Sequence, residues 1–130
     1  MTGWIGVVIN APKAQSLAYF YRDLLGWPLA DDEADWCTMG IPGAAANLVF
    51  QTEAIYERPT WPAEQGRQQM MAHLDIGARD VEGAVSDALA LGATLAEYQP
   101  QADVAYSTTR PGTRSVCTRT SSPAPHRSLT

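Results

Sequence analysis

This chain nearly repeats itself, and that limits its fold more than anything else in it. Residues 8–13 read VINAPK and residues 75–80 read DIGARD; residues 25–30 read LGWPLA and residues 91–96 read LGATLA. The first match is offset by 67 positions and the second by 66, a difference of one inserted or deleted residue. That period is too long for a solenoid. A chain of 130 residues holds one ordinary core. The two copies therefore share one domain, and a repeat of this kind puts a site at their interface.

Each copy reads as a strand, a helix and further strands. WIGVVIN at 4–10 is a short β-branched run and predicts a strand. Pro12 suits a first helical turn. Leu17, Phe20, Tyr21, Leu24 and Leu25 follow at helical spacing, and Gly26 fits the position just past a helix end. Residues 27–30, 35–39 and 47–51 predict short strands, separated by Asp31-Asp32-Glu33 and Pro42-Gly43. Residues 53–68 form a long polar loop containing Pro59 and Pro62. The order then restarts. Residues 70–76 predict a strand, and Asp80 is an N-cap before Val81, Ala84, Val85, Ala88 and Leu89 on one helical face. Gly92 closes that helix, and residues 94–98 predict another strand.

Composition removes several classes of function. All 14 acidic residues lie at or before Asp103, with five of the nine basic ones. Residues 1–103 thus carry a net charge of −9 and residues 104–130 carry +4. An acidic body argues against nucleic acid as a partner and suits a cationic or neutral small ligand. No apolar run approaches the ~20 residues of a membrane span, and the N-terminus lacks a basic region and an apolar stretch of signal-peptide type. Cys37 and Cys117 are too few for a disulfide framework or a structural zinc site. A soluble, reduced, cytoplasmic protein is expected. No glycine-rich phosphate loop or nucleophile elbow is present. Cys37 has no basic neighbour in sequence to activate it and reads as packing.

The string SLAYFYRDLLGWPL at 16–29 resembles the first helix and second strand of the vicinal oxygen chelate superfamily, with FYRDLLGW as the most specific part. MMAHLDIGARDVEGAV at 70–85 is similar to the start of that family's second module. The superfamily includes glyoxalase I, bleomycin-resistance proteins and extradiol dioxygenases. The resemblance covers roughly residues 4–103. It implies an α+β fold of two βαβββ modules, about 4–52 and 69–103, whose curved sheets form a cup. It also implies pairing into a homodimer. Metal enzymes of the family take ligands from the first and last strand of each module. Here the first-strand column falls near Gly6, which has no side chain, and on His73, which matches. Gln51 or Glu53 is a weak match in the first module's last strand, and the chain's tail has no acid at all. A catalytic ion takes about three protein ligands, so no metal and no other cofactor is expected, with a divalent metal as the alternative.

The family closes on a pattern resembling V-x-V-x-x-DP-x-GHPF-x-L. Residues 105–130 instead read AYSTTRPGTRSVCTRTSSPAPHRSLT, rich in Ser and Thr. By composition this is a disordered basic tail, and the domain is expected to end at residue 103 with its last strands missing or altered. Permitted codons for Val104–Thr118, read from the third base of the Val104 codon, give RVLDDPAGHPFCLY. That is the missing ending in its proper place, so a shifted reading frame is the favoured origin of residues 104–130.

The candidate ligand-binding residues are Trp36, Phe50, Tyr56, Trp61 and His73. The aromatic residues come from the first module's strands and the long loop, and they are equally readable as core or as a dimer contact. His73 is either an acid/base group in the cup or an ordinary strand histidine. The expected function is metal-free binding of a small organic ligand. The alternatives are a glyoxalase-class lyase or isomerase using His73, and a degenerate copy with no ligand.

Overall fold

Two copies of one unit fold in succession. The computed structural model describes residues 3–99, 104–109 and 114–119. The first copy runs β1 (Ile5–Ala11), α1 (Ala14–Leu25), β2 (Leu29–Glu33), β3 (Trp36–Gly40) and β4 (Ala46–Thr52). The second runs β5 (Leu74–Ala78), α2 (Val81–Ala90), β6 (Thr94–Leu95), β7 (Val104–Thr108) and β8 (Arg114–Arg119). Each copy makes its own four-stranded sheet, ordered β1-β4-β3-β2 and β5-β8-β7-β6. In both, the first strand is parallel to the last and the remaining pairs are antiparallel. The expected α+β fold of two βαβββ units is therefore present, with the same strand order twice.

Local sequence explains the first copy well. Ala14, Leu17, Ala18 and Tyr21 are fully buried on one stripe of α1, the spacing of an amphipathic helix. Gly26 ends it at φ 71°, and its N–H donates to the Arg22 carbonyl at 2.8 Å. Only glycine enters that left-handed region without cost. Pro12 lies just outside α1, because Lys13 takes the N-cap position. The Lys13 side chain caps nothing. The Thr52 hydroxyl accepts the Ala14 N–H at 3.0 Å instead, so the end of β4 satisfies a donor at the start of α1.

The core lies between α1 and the first sheet. Tyr21 stacks on Phe50 with ring centroids 5.6 Å apart, and Phe20 meets Tyr21 edge-on at 5.2 Å. Leu17, Cys37 and Met39 complete this fully buried set. Each large apolar side chain so buried contributes roughly 1.5–3 kcal/mol. The second copy contributes smaller residues: Ala88 and Ala93 are buried, and Leu74 and Ile76 pack against the same cluster. Asp80 caps α2 as expected, its Oδ1 accepting the Gly83 N–H at 3.1 Å. The helix stops at Ala90, and Gly92 follows at φ 95°.

Several expectations are corrected: Asp31-Asp32-Glu33, expected as a turn, lies in β2, and the strand expected at 94–98 is Thr94–Leu95 alone. The strand expected at 70–76 forms at Leu74–Ala78, paired from Leu74 opposite Ser115 to Ala78 opposite Arg119. Two stretches of the expected tail form strands. Val104–Thr108 and Arg114–Arg119 pair with each other, and with β6 and β5, across a full sheet. Val, Tyr and Thr all favour strands, and Val104, Tyr106 and Thr108 supply them at alternate positions; a Ser/Thr-rich composition conceals that alternation. Residues 100–103, 110–113 and 120–130 lie outside the described residues.

Candidate functional site

Strand register decides which side chains can meet a ligand, because directly paired residues share a face of the sheet. Ile9 pairs with Phe50, and Phe50 with Cys37. That row faces α1. The alternate row is Val8–Val49–Thr38, with Asn10, Gln51 and Trp36 beside it on the opposite face. In the second sheet Asp75 pairs with Val116, and Val116 with Tyr106. Asp75 and Tyr106 therefore share the face opposite Leu74 and Ile76.

A cavity of about 380 Å³ opens where the copies come together. Residues 7–10 of β1 form one wall, residues 68–74 leading into β5 form another, and residues from the 53–59 stretch close it. Ligand cavities are typically ~300–1,000 Å³, mostly apolar, with a few polar groups. Val8, Ile55, Pro59 and Met70 supply apolar surface here, and Asn10, Glu53, Glu57 and His73 supply polar atoms.

The five candidate residues separate. Tyr56 and His73 both line the cavity. His73 Nε2 lies 3.4 Å from Asp75 Oδ1, two residues along one face of the chain. Trp36 is on the face turned away from α1 and 41% exposed, but it does not line the cavity. Phe50 is fully buried against Tyr21, so it belongs to the core. Trp61 stacks on Tyr106, centroids 5.5 Å apart, with Tyr98 at 6.0 Å. It fastens the long loop to the Tyr106 face of the second sheet and is not part of the cavity lining. Asn10, Glu57 and Met70 were missed. The signal for Asn10 was the alternation along β1; Glu57 and Met70 sit in irregular backbone, where sequence carries no period.

The residues present do not fit the metal that the fold family implies. Gly6 offers no donor at the first-strand position. A Cβ built there would lie 2.8 Å from Trp4 Cζ3, so a side chain at this position would turn the exposed indole aside. Among the described residues, no group of three or more His, Cys, Asp or Glu could hold a metal ion. The other potential nucleophile, Cys37, is fully buried. Burial and the neighbouring Asp32 push its thiol above the ordinary value, which keeps it protonated and unreactive. No helix among the described residues is long and apolar enough to cross a membrane.

The model of the family described as "Glyoxalase-like domain" matches residues 6–117. A search of the curated proteins gives no match. Among solved structures, the chain is similar to a lactoylglutathione lyase from Agrobacterium tumefaciens, at 14% identity and TM-score 0.58, covering 92% of this chain and 94% of that one. It is similar to TnmS3, an antibiotic binding protein from Streptomyces sp. CB03234, at 14% identity and TM-score 0.60, covering 93% and 98%. It is also similar to a glyoxalase/bleomycin resistance protein/dioxygenase family enzyme from Burkholderia phytofirmans PsJN, at 15% identity and TM-score 0.65, covering 88% and 95%. At these identities the structures establish the fold and nothing finer. The family match spans both copies and reaches into β8, and on that ground the chain belongs to the glyoxalase-like domain family.

Proposed function

We propose that this chain binds a small organic ligand in the cavity between β1 and the approach to β5, without a resident metal ion. The observation that carries this is the cavity itself: about 380 Å³, with apolar walls and a few polar groups, at the junction of the two copies. Tyr56 and His73 are the sequence candidates that line it. The antibiotic binding protein from Streptomyces supports binding as a role that this fold carries. A cytoplasmic setting and a homodimer are part of the proposal. The apolar edge strand β1 supports pairing, with Ile5 and Val8 71% and 50% exposed and Trp4, just before it, 67% exposed, since such edges favour association.

The test is a thermal-shift screen of small organic compounds on the full chain, repeated on Tyr56→Ala and His73→Ala. A compound that raises Tm in the parent and less in both variants is expected. A compound that stabilises all three chains equally binds elsewhere and removes the cavity from consideration. A second reading has one observation in its favour. His73 and Asp75, 3.4 Å apart, form a His–carboxylate pair of the type used for proton transfer, and the lyase from Agrobacterium shares the fold. Turnover of hemithioacetals, with or without added Ni, Zn or Mn, and its loss in His73→Ala would favour that reading over binding alone.

A further inference from the structure

We propose that Trp61 is a positioning residue for the ligand cavity: stacked on Tyr106, it latches the loop whose two flanks form the cavity walls, and so governs affinity without touching the ligand. This rests on the reading of the cavity as a ligand site, and it adds control from a point outside the lining. Apart from residues 7–10 of β1, the lining comes from residues 53–59 and 68–74. These are the two sides of the loop 60–67, which itself lines nothing. Residues 53–73 form no helix, and no strand beyond the isolated Thr60–Gln69 bridge. Irregular backbone has many conformations open to it. A wall made of it binds tightly only when other contacts hold it in the binding shape beforehand.

The loop passes one contact on to both walls. At its base the Thr60 N–H donates to the Gln68 carbonyl at 2.9 Å, and the Thr60 hydroxyl donates to the same oxygen at 3.4 Å. Within it the Arg67 N–H donates to the Glu64 carbonyl at 3.2 Å, around Gly66 at φ 79°, a tight turn. Trp61 directly follows Thr60, and Pro59 directly precedes it. A shift of the indole therefore moves Pro59 through the chain, and Gln68 and Gln69 through the bridge; all three line the cavity. The surface that receives the indole is itself fixed. Trp61 lies 17° from parallel to Tyr106, with centroids 5.5 Å apart and Tyr98 at 6.0 Å. Tyr106 sits in the middle of β7, paired with Val116 of β8. Its carbonyl accepts the Ala96 N–H at 2.9 Å and Gln99 Nε2 at 2.8 Å, and its N–H donates to Gln99 Oε1 at 2.8 Å. A stacked aromatic pair gains energy beyond the area it buries, so the latched loop is favoured over a loose one. A ligand that needs the latched loop binds in proportion to its population.

The experiment titrates 4-phenylbutan-1-ol, an apolar ring and chain with one hydroxyl, into the full chain. Binding is followed by NMR through the backbone amides of residues 7–10 and 68–74. Trp61→Ala and Tyr106→Val should each weaken binding about fivefold, the scale of one lost aromatic pair. The double variant should bind no more weakly than either single one, since both remove the same contact. Trp61→Phe, which keeps a ring on Tyr106, should retain most of the affinity. Without the probe, the order parameters of the amides of residues 53–58 and 68–73 should fall in Trp61→Ala from about 0.85 toward about 0.6, with the amides of α1 and β3 unmoved. Affinity lost in Trp61→Ala and kept in Tyr106→Val means that the indole meets the ligand directly. Affinity unchanged while the walls loosen means that the latch does not govern the cavity. Either result overturns the inference and leaves the cavity as the ligand site. If the probe perturbs none of those amides in the parent, the cavity reading fails and the inference fails with it. Should Trp61→Ala or Tyr106→Val not fold, Tyr98→Ala, at a half-exposed residue of the same platform, is read in the same way.

Discussion

At the scale of single residues, burial has converted reactive groups into structural ones. Cys37 is fully buried, and its Sγ donates to the Glu33 carbonyl at 3.3 Å. Its thiol is pushed above 9.0, first by burial and then by Asp32. The folded protein therefore resists forming the thiolate, whereas the unfolded chain forms it at the ordinary value. Stability from this group is fully present below pH 9 and is lost as the pH rises past it, by at most ~1.4 kcal/mol per pH unit. Urea midpoints for the parent and Cys37→Ala between pH 7 and 10 check this: the difference between them should shrink at alkaline pH, and a constant difference would show that burial does not hold the proton. Cys37 was legible in sequence as inert packing. Phe50 was legible as core only as one of two equal readings, because an aromatic residue on a strand faces either side until the register is known.

At the scale of elements, the two helices start in different ways. Asp80 caps α2 from within the local sequence, by its bond to the Gly83 N–H. The first helix draws its acceptor from Thr52, 38 residues away, which no local pattern announces. Asp80→Ala should cost ~1 kcal/mol. Thr52→Val keeps the shape and deletes the acceptor, leaving the Ala14 N–H unsatisfied, and should cost ~1–3 kcal/mol. Chemical denaturation of both variants decides whether the tertiary cap matters as much as the local one. The loop at 53–68 has a similar logic. Its Trp61 finds Tyr106 and Tyr98, residues far along the chain, so the loop is anchored by the second sheet.

At the scale of the whole molecule, the second copy depends on residues whose composition reads as a tail. β5 and β6 do not pair with each other; each pairs only with β8 or β7. A chain ending at Asp103 leaves both without a ladder partner. Such a chain should lose cooperative unfolding of its second half and bind an apolar dye, while the first sheet and α1 persist. Full two-state unfolding of that truncated chain would return residues 104–130 to the status of a tail. In the alternative frame DPAGHP falls in the interval between Thr108 and Arg114. The nucleotide sequence from Gln101 onward settles which ending the gene encodes, and DPAGHPF in another frame is the expected result.

The amino-acid sequence by itself determined the architecture. An internal repeat, a helical stripe ending in Gly26 and an N-cap at Asp80 are local or periodic signals, and the physics they encode acts over a few residues. From these came two strand–helix–strands copies in one domain; the α+β class, the βαβββ order and His73 as a site candidate came from the resemblance to a known family. Tertiary structure decided what periodicity cannot express. It set the register that sends Phe50 inward, the stacking that takes Trp61 to Tyr106, and the pairing that orders residues 104–108 and 114–119. It also brought β1, the 53–59 stretch and residues 68–74 around one cavity. Those segments are far apart in sequence, and only when two sheets and a loop close on each other do Glu53, Glu57, Tyr56 and His73 come to line the same cavity.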